Sequence, residues 1–224
     1  MNKRNRNQGF TLLELLIVIA IIAILSVILV LVLNPAETLK KSRDAQRISD
    51  LNTLKTAIGL VVTASTTPYL SSGNTNCSGG GAAKIFYSNN VSCTAAPTPG
   101  ADSATTTLVA NTWCSGTSSA SIDGTGWIPL AFSWLPGGSP ISNLPLDPVN
   151  TVAGAAPAAT DFIYRYYCQS AGGTKPSYVF ELNAGLESAA YTVDDDKRAK
   201  DGGDNAAMFE VGTDLRLLPA SGAF

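Results

Sequence analysis

One carboxylate is set apart by its surroundings. Glu14 lies near the start of an apolar run of 24 residues, Phe10 to Leu33, that holds no other ionisable side chain. A charged group in such a run is costly to place in hydrocarbon and calls for a cationic partner, so it marks a functional position by default. Just ahead of it stand Gly9 and a basic leader carrying Lys3, Arg4 and Arg6. Several other chemistries are excluded by composition. The 224 residues contain no histidine, which removes Ser-His-Asp and Cys-His nucleophilic catalysis, His-ligated zinc and the commonest general base. No paired-carboxylate or Gly-rich phosphate motif supports Glu, Asp, Lys or Tyr chemistry in their place, so the chain is not expected to be an enzyme.

Two further groups of residues could bind or cross-link. Cys77, Cys93, Cys114 and Cys168 include no C-x-x-C pair, which disfavours a zinc site built from all four. An even number of cysteines beyond an apolar segment reads as two disulfides in an oxidising compartment. Three connectivities are open; Cys77–Cys93 with Cys114–Cys168 is favoured because the first closes a short local loop. Near the C-terminus, Asp194, Asp196, Asp201, Asp204 and Asn205 cluster on a Gly-containing stretch. Hard oxygen donors of this kind suit calcium, although Lys197, Arg198 and Lys200 lie among them and the EF-hand pattern is absent.

The elements that must position these groups follow from the patterning. A helix over Phe10–Leu33 rises about 36 Å, enough to cross a hydrocarbon layer of about 30 Å with some tilt. A secretory signal would have a shorter apolar region and an A-x-A-like site after it, and neither feature is present. Asn34-Pro35-Ala36-Glu37 closes this run and restarts a helix, with Asn34 as N-cap, Pro35 at the first helical position and Glu37 in a capping-box position. An amphipathic stretch follows, apolar at Leu39, Ile48, Leu51, Leu54, Ile58 and Val61, with Lys40, Arg43, Asp44, Arg47, Asp50 and Lys55 assigned to its other side. It fades near Ala64. From there to about Gly126 the chain is rich in Ser, Thr, Gly, Asn and Ala and reads as loops with short strands at Lys84-Ile85-Phe86-Tyr87 and Thr107-Leu108-Val109.

Phe162 to Cys168 and Tyr178 to Leu182 are β-rich and read as a hairpin with a long loop; Tyr178, Phe180 and Leu182 share the face that would meet the helix. Ala207 to Val211 and Leu215 to Leu218 suggest a closing hairpin around Gly212-Thr213-Asp214. Trp113, Trp127 and Trp134 read as core or loop anchors rather than ligand contacts. The organisation expected is residues 1–9 as a leader, 10–33 as a membrane helix, 34–65 as an amphipathic helix and 66–224 as one globular head. Loss of the leader would leave twelve basic against seventeen acidic residues, net −5, so nucleic acid is not an expected partner.

Gly9-Phe10-Thr11-Leu12-Leu13-Glu14, with its basic leader and long apolar helix, resembles the cleavage and methylation signal of type IV pilins and type II secretion pseudopilins. The resemblance implies cutting between Gly9 and Phe10 by a prepilin peptidase and N-methylation of Phe10. It also implies that Glu14 neutralises the terminal amine of a neighbouring subunit in a helical filament. The implied partners are other copies of the chain, related pilins, the peptidase, the membrane and an inner-membrane assembly platform. The implied place is the inner membrane, crossed once with the N-terminus inside and the head outside, and then the pilus or pseudopilus. The implied fold is α+β, a long N-terminal helix packed on a small antiparallel sheet with disulfide-pinned loops. Leu144-Pro145-Leu146-Asp147-Pro148 resembles the Leu-Pro-x-Asp-Pro loop of major pseudopilins, which also place a calcium-binding loop near the C-terminus. The cysteines resemble pilins more, so pilus and secretion pseudopilus both stay open. A membrane-anchored minor pilin with an adhesin-like head is the alternative reading, favoured by the Ser/Thr/Gly-rich insertion.

Overall fold

The computed structural model describes residues 9–64, 68–71, 77, 83–91, 114–154, 157–169 and 178–221. The chain divides into two units, Met1–Lys40 and Lys41–Phe224. The first is built on helix α1, Leu12–Leu33. Its Leu, Ile, Val and Ala side chains surround the axis on every side, and none of those described is buried. A helix apolar all round needs an apolar solvent or partner. Helical hydrogen bonding also satisfies its own backbone, as hydrocarbon requires. Ser26, its one hydroxyl, donates to the Ile22 carbonyl at 2.7 Å.

The helix stops at Asn34, whose left-handed backbone (φ 38°) forms the C-cap. Asn tolerates this conformation better than most residues. The same residue opens helix α2, Pro35–Ala64. The Asn34 carbonyl accepts from the N–H groups of Glu37 and Thr38 at 3.1 and 3.2 Å, and its side-chain Oδ1 accepts from Glu37 N–H at 3.4 Å. Pro35 at the first helical position loses nothing by lacking an N–H.

In the second unit, α2 presents Leu51, Leu54, Ala57, Ile58 and Val61 to a five-stranded sheet. The strands are β1 (Ile85–Tyr87), β2 (Cys114–Gly116), β3 (Tyr164–Gln169), β4 (Val179–Gly185) and β5 (Met208–Gly212), in the order β2-β1-β3-β4-β5. Phe86, Tyr166, Phe180, Leu182 and Val211 form the helix-facing layer. Phe180 and Leu182 take the expected positions there, with Tyr178 partly buried beside them. Each of these large side chains contributes about 1.5–3 kcal/mol on full burial, so this layer is the main cohesive contact of the head. The other side of the sheet is covered too. Ile85, Tyr87, Ile163, Tyr167, Val179 and Met208 pack with Leu217 and Leu218 from the C-terminal segment. Burial on both faces is why β3 and β4 read as nearly unbroken β-rich runs rather than strict alternation.

The sheet is antiparallel as expected in every strand pair but one, and two other expectations are corrected. The sheet is mixed: β1 and β2 run parallel, while the β1–β3, β3–β4 and β4–β5 pairs are antiparallel. Leu215–Leu218 does not form a closing strand. The N–H groups of Leu217 and Leu218 both donate to the Glu181 carboxylate at 2.8 Å, so a side chain satisfies them and β5 pairs with β4 instead. The disulfide is Cys77–Cys168, with Cα atoms 4.8 Å apart, in place of the local Cys77–Cys93 bridge and of Cys114–Cys168. Short loop closure lost to the fold, which brings the segment after α2 against buried Cys168 on β3. Cys114 is also disulfide-bonded; Cys93, Trp113 and the strand expected at 107–109 lie outside the described residues.

Candidate functional site

Thr11 has an extended backbone (φ −80°, ψ 151°) and caps α1. Its Oγ1 accepts from the Glu14 N–H at 3.2 Å, while Glu14 Oε2 accepts from the Thr11 N–H and hydroxyl, both at 2.9 Å. This reciprocal capping box fixes the carboxylate at the helix N-terminus, where the helix dipole favours negative charge. Both bonds fall on Oε2, so among the described residues Oε1 keeps its lone pairs for a donor from another molecule. Phe10 is fully displayed, 85% exposed. A Cβ added to Gly9 would meet nothing within 4 Å.

Residues 4–30 match the family model described as the prokaryotic N-terminal methylation motif. The chain carries a prepilin signal. The match takes in Gly9, Phe10, Thr11 and Glu14 as one contiguous stretch. Comparisons with curated proteins and with solved structures return no match. Behind the prepilin signal, Leu12–Val30 is the one helix among the described residues long and apolar enough to cross a membrane by length and composition.

The head holds a second constellation that the sequence reading missed. Asp44 and Arg47, placed above on the polar side of α2, are fully buried. Arg47 grips Asp147 in a fork, Nε to Oδ2 at 2.7 Å and Nη2 to Oδ1 at 3.0 Å. Its Nη1 also donates to Asp44 at 2.7 Å and to Glu187 at 2.8 Å. Arg43 takes Glu187 in a second fork at 2.7 Å for both bonds. Asp44 in turn accepts from the N–H groups of Glu187 and Ser188, the latter at 2.7 Å. Asp147 Oδ1 accepts from Val149 N–H at 2.8 Å. The Arg47 guanidinium lies over the Phe162 ring at 4.6 Å. Burial works to lower the Arg47 pKa, but bonds and charge from Asp147, Glu187 and Asp44 override it and hold the group charged. Arg43 holds the Glu187 carboxyl below its usual range. The result ties the Leu144–Pro148 segment and the end of β4 to α2. The signal was present in the spacing: positions 44, 47, 51, 54, 58 and 61 continue one helical stripe, so both charges lie on the core face.

The acidic stretch offered for calcium is differently engaged. Asp196 accepts from Arg198 Nε and Nη2 at 3.0 and 2.9 Å, and Asp195 pairs with Lys197 and Lys200. Those lysines hold the Asp195 pKa down to about 2. Asp201 accepts from the N–H groups of Gly203 and Glu210, both at 2.8 Å. Asn205 donates to the Pro219 carbonyl at 2.8 Å, and Asp194 is exposed on a separate turn. Among the described residues no three His, Cys, Asp or Glu side chains converge as a metal would need. In this structure Asp195, Asp196 and Asp201 are thus engaged by Lys, Arg and backbone N–H groups.

Behind this stretch lies a buried acid pair. Glu181 on β4 and Glu210 on β5 act on one another, and burial raises both, Glu210 to about 7 and Glu181 well above the carboxylate range. A proton shared between the two carboxyls is what allows them to sit together. A Cβ on Gly203 would lie 1.7 Å from Glu210 Oε2, so a side chain there would have to displace that carboxyl.

The tryptophans divide. Trp127 is a buried anchor as expected, its indole N–H donating to the Pro145 carbonyl at 2.9 Å. Trp134 is not, being 62% exposed.

Proposed function

We propose that this chain is a prepilin, the precursor of a structural subunit of a type IV pilus or type II secretion pseudopilus. It is cut between Gly9 and Phe10 by a prepilin peptidase and N-methylated on Phe10. The observation that carries this reading is the prepilin signal joined to a capped, wholly apolar helix with Glu14 at its head. Before assembly α1 anchors the subunit in the inner membrane, N-terminus inside and head outside. In the filament it packs against the helices of other copies and of related pilins. Leaving lipid for protein gives little hydrophobic gain, so the driving force comes from close packing and from polar groups finding partners. Glu14 supplies such a group: Oε2 is spent on its own cap, and Oε1 can accept from the freed amine of a neighbouring Phe10. An inner-membrane assembly platform would supply the work of extraction.

The test is mass spectrometry of the mature N-terminus. N-methyl-phenylalanine at Phe10 is the expected result; an intact Met1 in the mature protein would overturn the reading. A minor subunit with an adhesin-like head is the second reading, favoured by the low-charge Ser/Thr/Gly-rich stretch from 66 to about 126. Abundance separates the two, since a major subunit forms the bulk of purified filaments.

A further inference from the structure

The exposed Trp134 belongs to a built feature. It ends a short 3-10 turn, Phe132–Trp134, whose Phe132 is fully buried and donates its N–H to the Ile122 carbonyl at 2.9 Å. Immediately after it, Gly137 and Gly138 adopt φ of 95° and 91°, a left-handed turn that only glycine enters freely. The turn is therefore anchored from below, and it projects the indole outward. Tyr69, 41% exposed, meets that indole edge to face, with ring centroids 5.0 Å apart and planes at 87°. Exposing two large aromatic rings has a hydrophobic cost that the fold does not recover.

Beside the pair opens a cleft of about 350 Å³, lined by Tyr69, Ser71, Asp123, Thr125, Leu130 and Trp134. Its size falls at the lower end of small-ligand sites, roughly 300–1,000 Å³. A second hollow of about 310 Å³ lies against the same two rings, with Pro68, Leu135 and Pro136. Asp123 is held in place: Thr125 N–H and hydroxyl both donate to its Oδ1, at 3.0 and 2.6 Å. Its Oδ2 takes neither of these bonds. The cleft thus combines flat apolar faces, a fixed carboxylate and two hydroxyls, with no Lys or Arg among the described residues that line it.

Those features select among ligand classes. An anion would meet Asp123 without any compensating cation. A purely apolar chain would desolvate that carboxylate with nothing in exchange. A quaternary ammonium favours enclosure by several ring faces. Here there are two rings, and their edge-to-face contact already uses one face. A sugar ring satisfies all the elements at once. Its axial C–H face lies on the electron-rich face of an aromatic ring, and its hydroxyls donate to Asp123 and exchange bonds with Ser71 and Thr125. We propose that the cleft flanked by Trp134 and Tyr69 binds the pyranose ring of a neutral saccharide. This proposal goes beyond the filament reading and does not depend on it.

The test uses the full chain in a polyoxyethylene detergent, which contains neither sugar nor choline. Glucose, galactose, mannose and N-acetylglucosamine are titrated and followed by saturation-transfer NMR, with tetramethylammonium as the competing probe. At least one sugar is expected to bind, with transfer strongest at its ring C–H protons. Trp134→Ala is expected to weaken that binding about ten-fold or more, and Asp123→Asn to weaken it as well. Both side chains are exposed, so melting temperatures should match the parent and loss of binding would not reflect unfolding. The proposal is overturned if no sugar in the panel transfers at tens of millimolar. It is equally overturned if tetramethylammonium binds where the sugars do not, if Trp134→Ala leaves sugar binding unchanged, or if that variant alters only self-association.

Discussion

Replacing Arg47 with methionine keeps an unbranched apolar side chain and removes the guanidinium that lies over Phe162 and touches Asp44, Asp147 and Glu187 together. Arg43 would still hold Glu187, and Asp44 would keep the N–H groups of Glu187 and Ser188. Asp147 would lose both bonds of its fork while remaining only 4% exposed. Removing one partner of a buried pair leaves an uncompensated charge and costs about 3–5 kcal/mol. For a domain of this size each kcal/mol moves the midpoint about 2–4 °C, so the melting temperature of the head should fall by roughly 6–20 °C. The assay is thermal unfolding of the full chain in detergent, followed by near-UV circular dichroism, which reads aromatic packing. Adding Asp147→Leu to the variant removes the stranded carboxylate and should restore at least half of the loss. A fall of under about 2 °C, or a double variant no better than the single one, would refute the buried-charge argument.

Four other outcomes follow from the same physical reasoning. The Glu210 carboxyl is raised from 4.5 to about 7, so the folded state holds a proton that the unfolded chain releases. Stability from this group is complete below about pH 4.5 and is lost as pH rises towards about 7, with a slope of at most about 1.4 kcal/mol per pH unit. Glu210→Gln should flatten the melting temperature across that window, and an unchanged slope counts against the shared proton. Glu187 acts in the opposite sense, because its pKa is lowered; its contribution is present at neutral pH and fades as pH falls below the ordinary carboxylate range. Replacing Cys77 and Cys168 together with alanine opens a bridge spanning 91 positions and should cost roughly 2–5 kcal/mol in a urea titration, whereas a loss below ~1 kcal/mol would mean the bridge adds little. Finally, Glu14→Val should insert into membranes normally and yet fail to assemble; normal filaments from that variant would remove Glu14 from the assembly step.

The N-terminal third was legible in the chain because its determinants are local. A run of 24 apolar residues needs no tertiary partner to be recognised, and Thr11 caps Glu14 across three positions. Asn34-Pro35 ends one helix and starts the next within two residues. The strands of the head were also readable, from β-branched and aromatic content at Phe162–Cys168 and Tyr178–Leu182. Their register and neighbours were not, since sheet order depends on contacts between residues far apart in sequence. Cys77 meets Cys168 across 91 positions, and Glu181 claims the N–H groups of Leu217 and Leu218 from 36 and 37 positions away. Residue type alone assigned Asp44 and Arg47 to solvent. Only the fold supplied the Asp147 and Glu187 carboxylates, 100 and 140 positions from Arg47, that make its burial affordable. Trp134 shows the converse. Residue type read it as a core or loop anchor, and the turn anchored by Phe132 set it at the surface. Sequence by itself determined the apolar helix, its cap and the methylation motif, which rest on neighbours along the chain. The disulfide, the charge network and the aromatic cleft were decided by tertiary structure, because each is made of groups that meet only after the sheet has closed over α2.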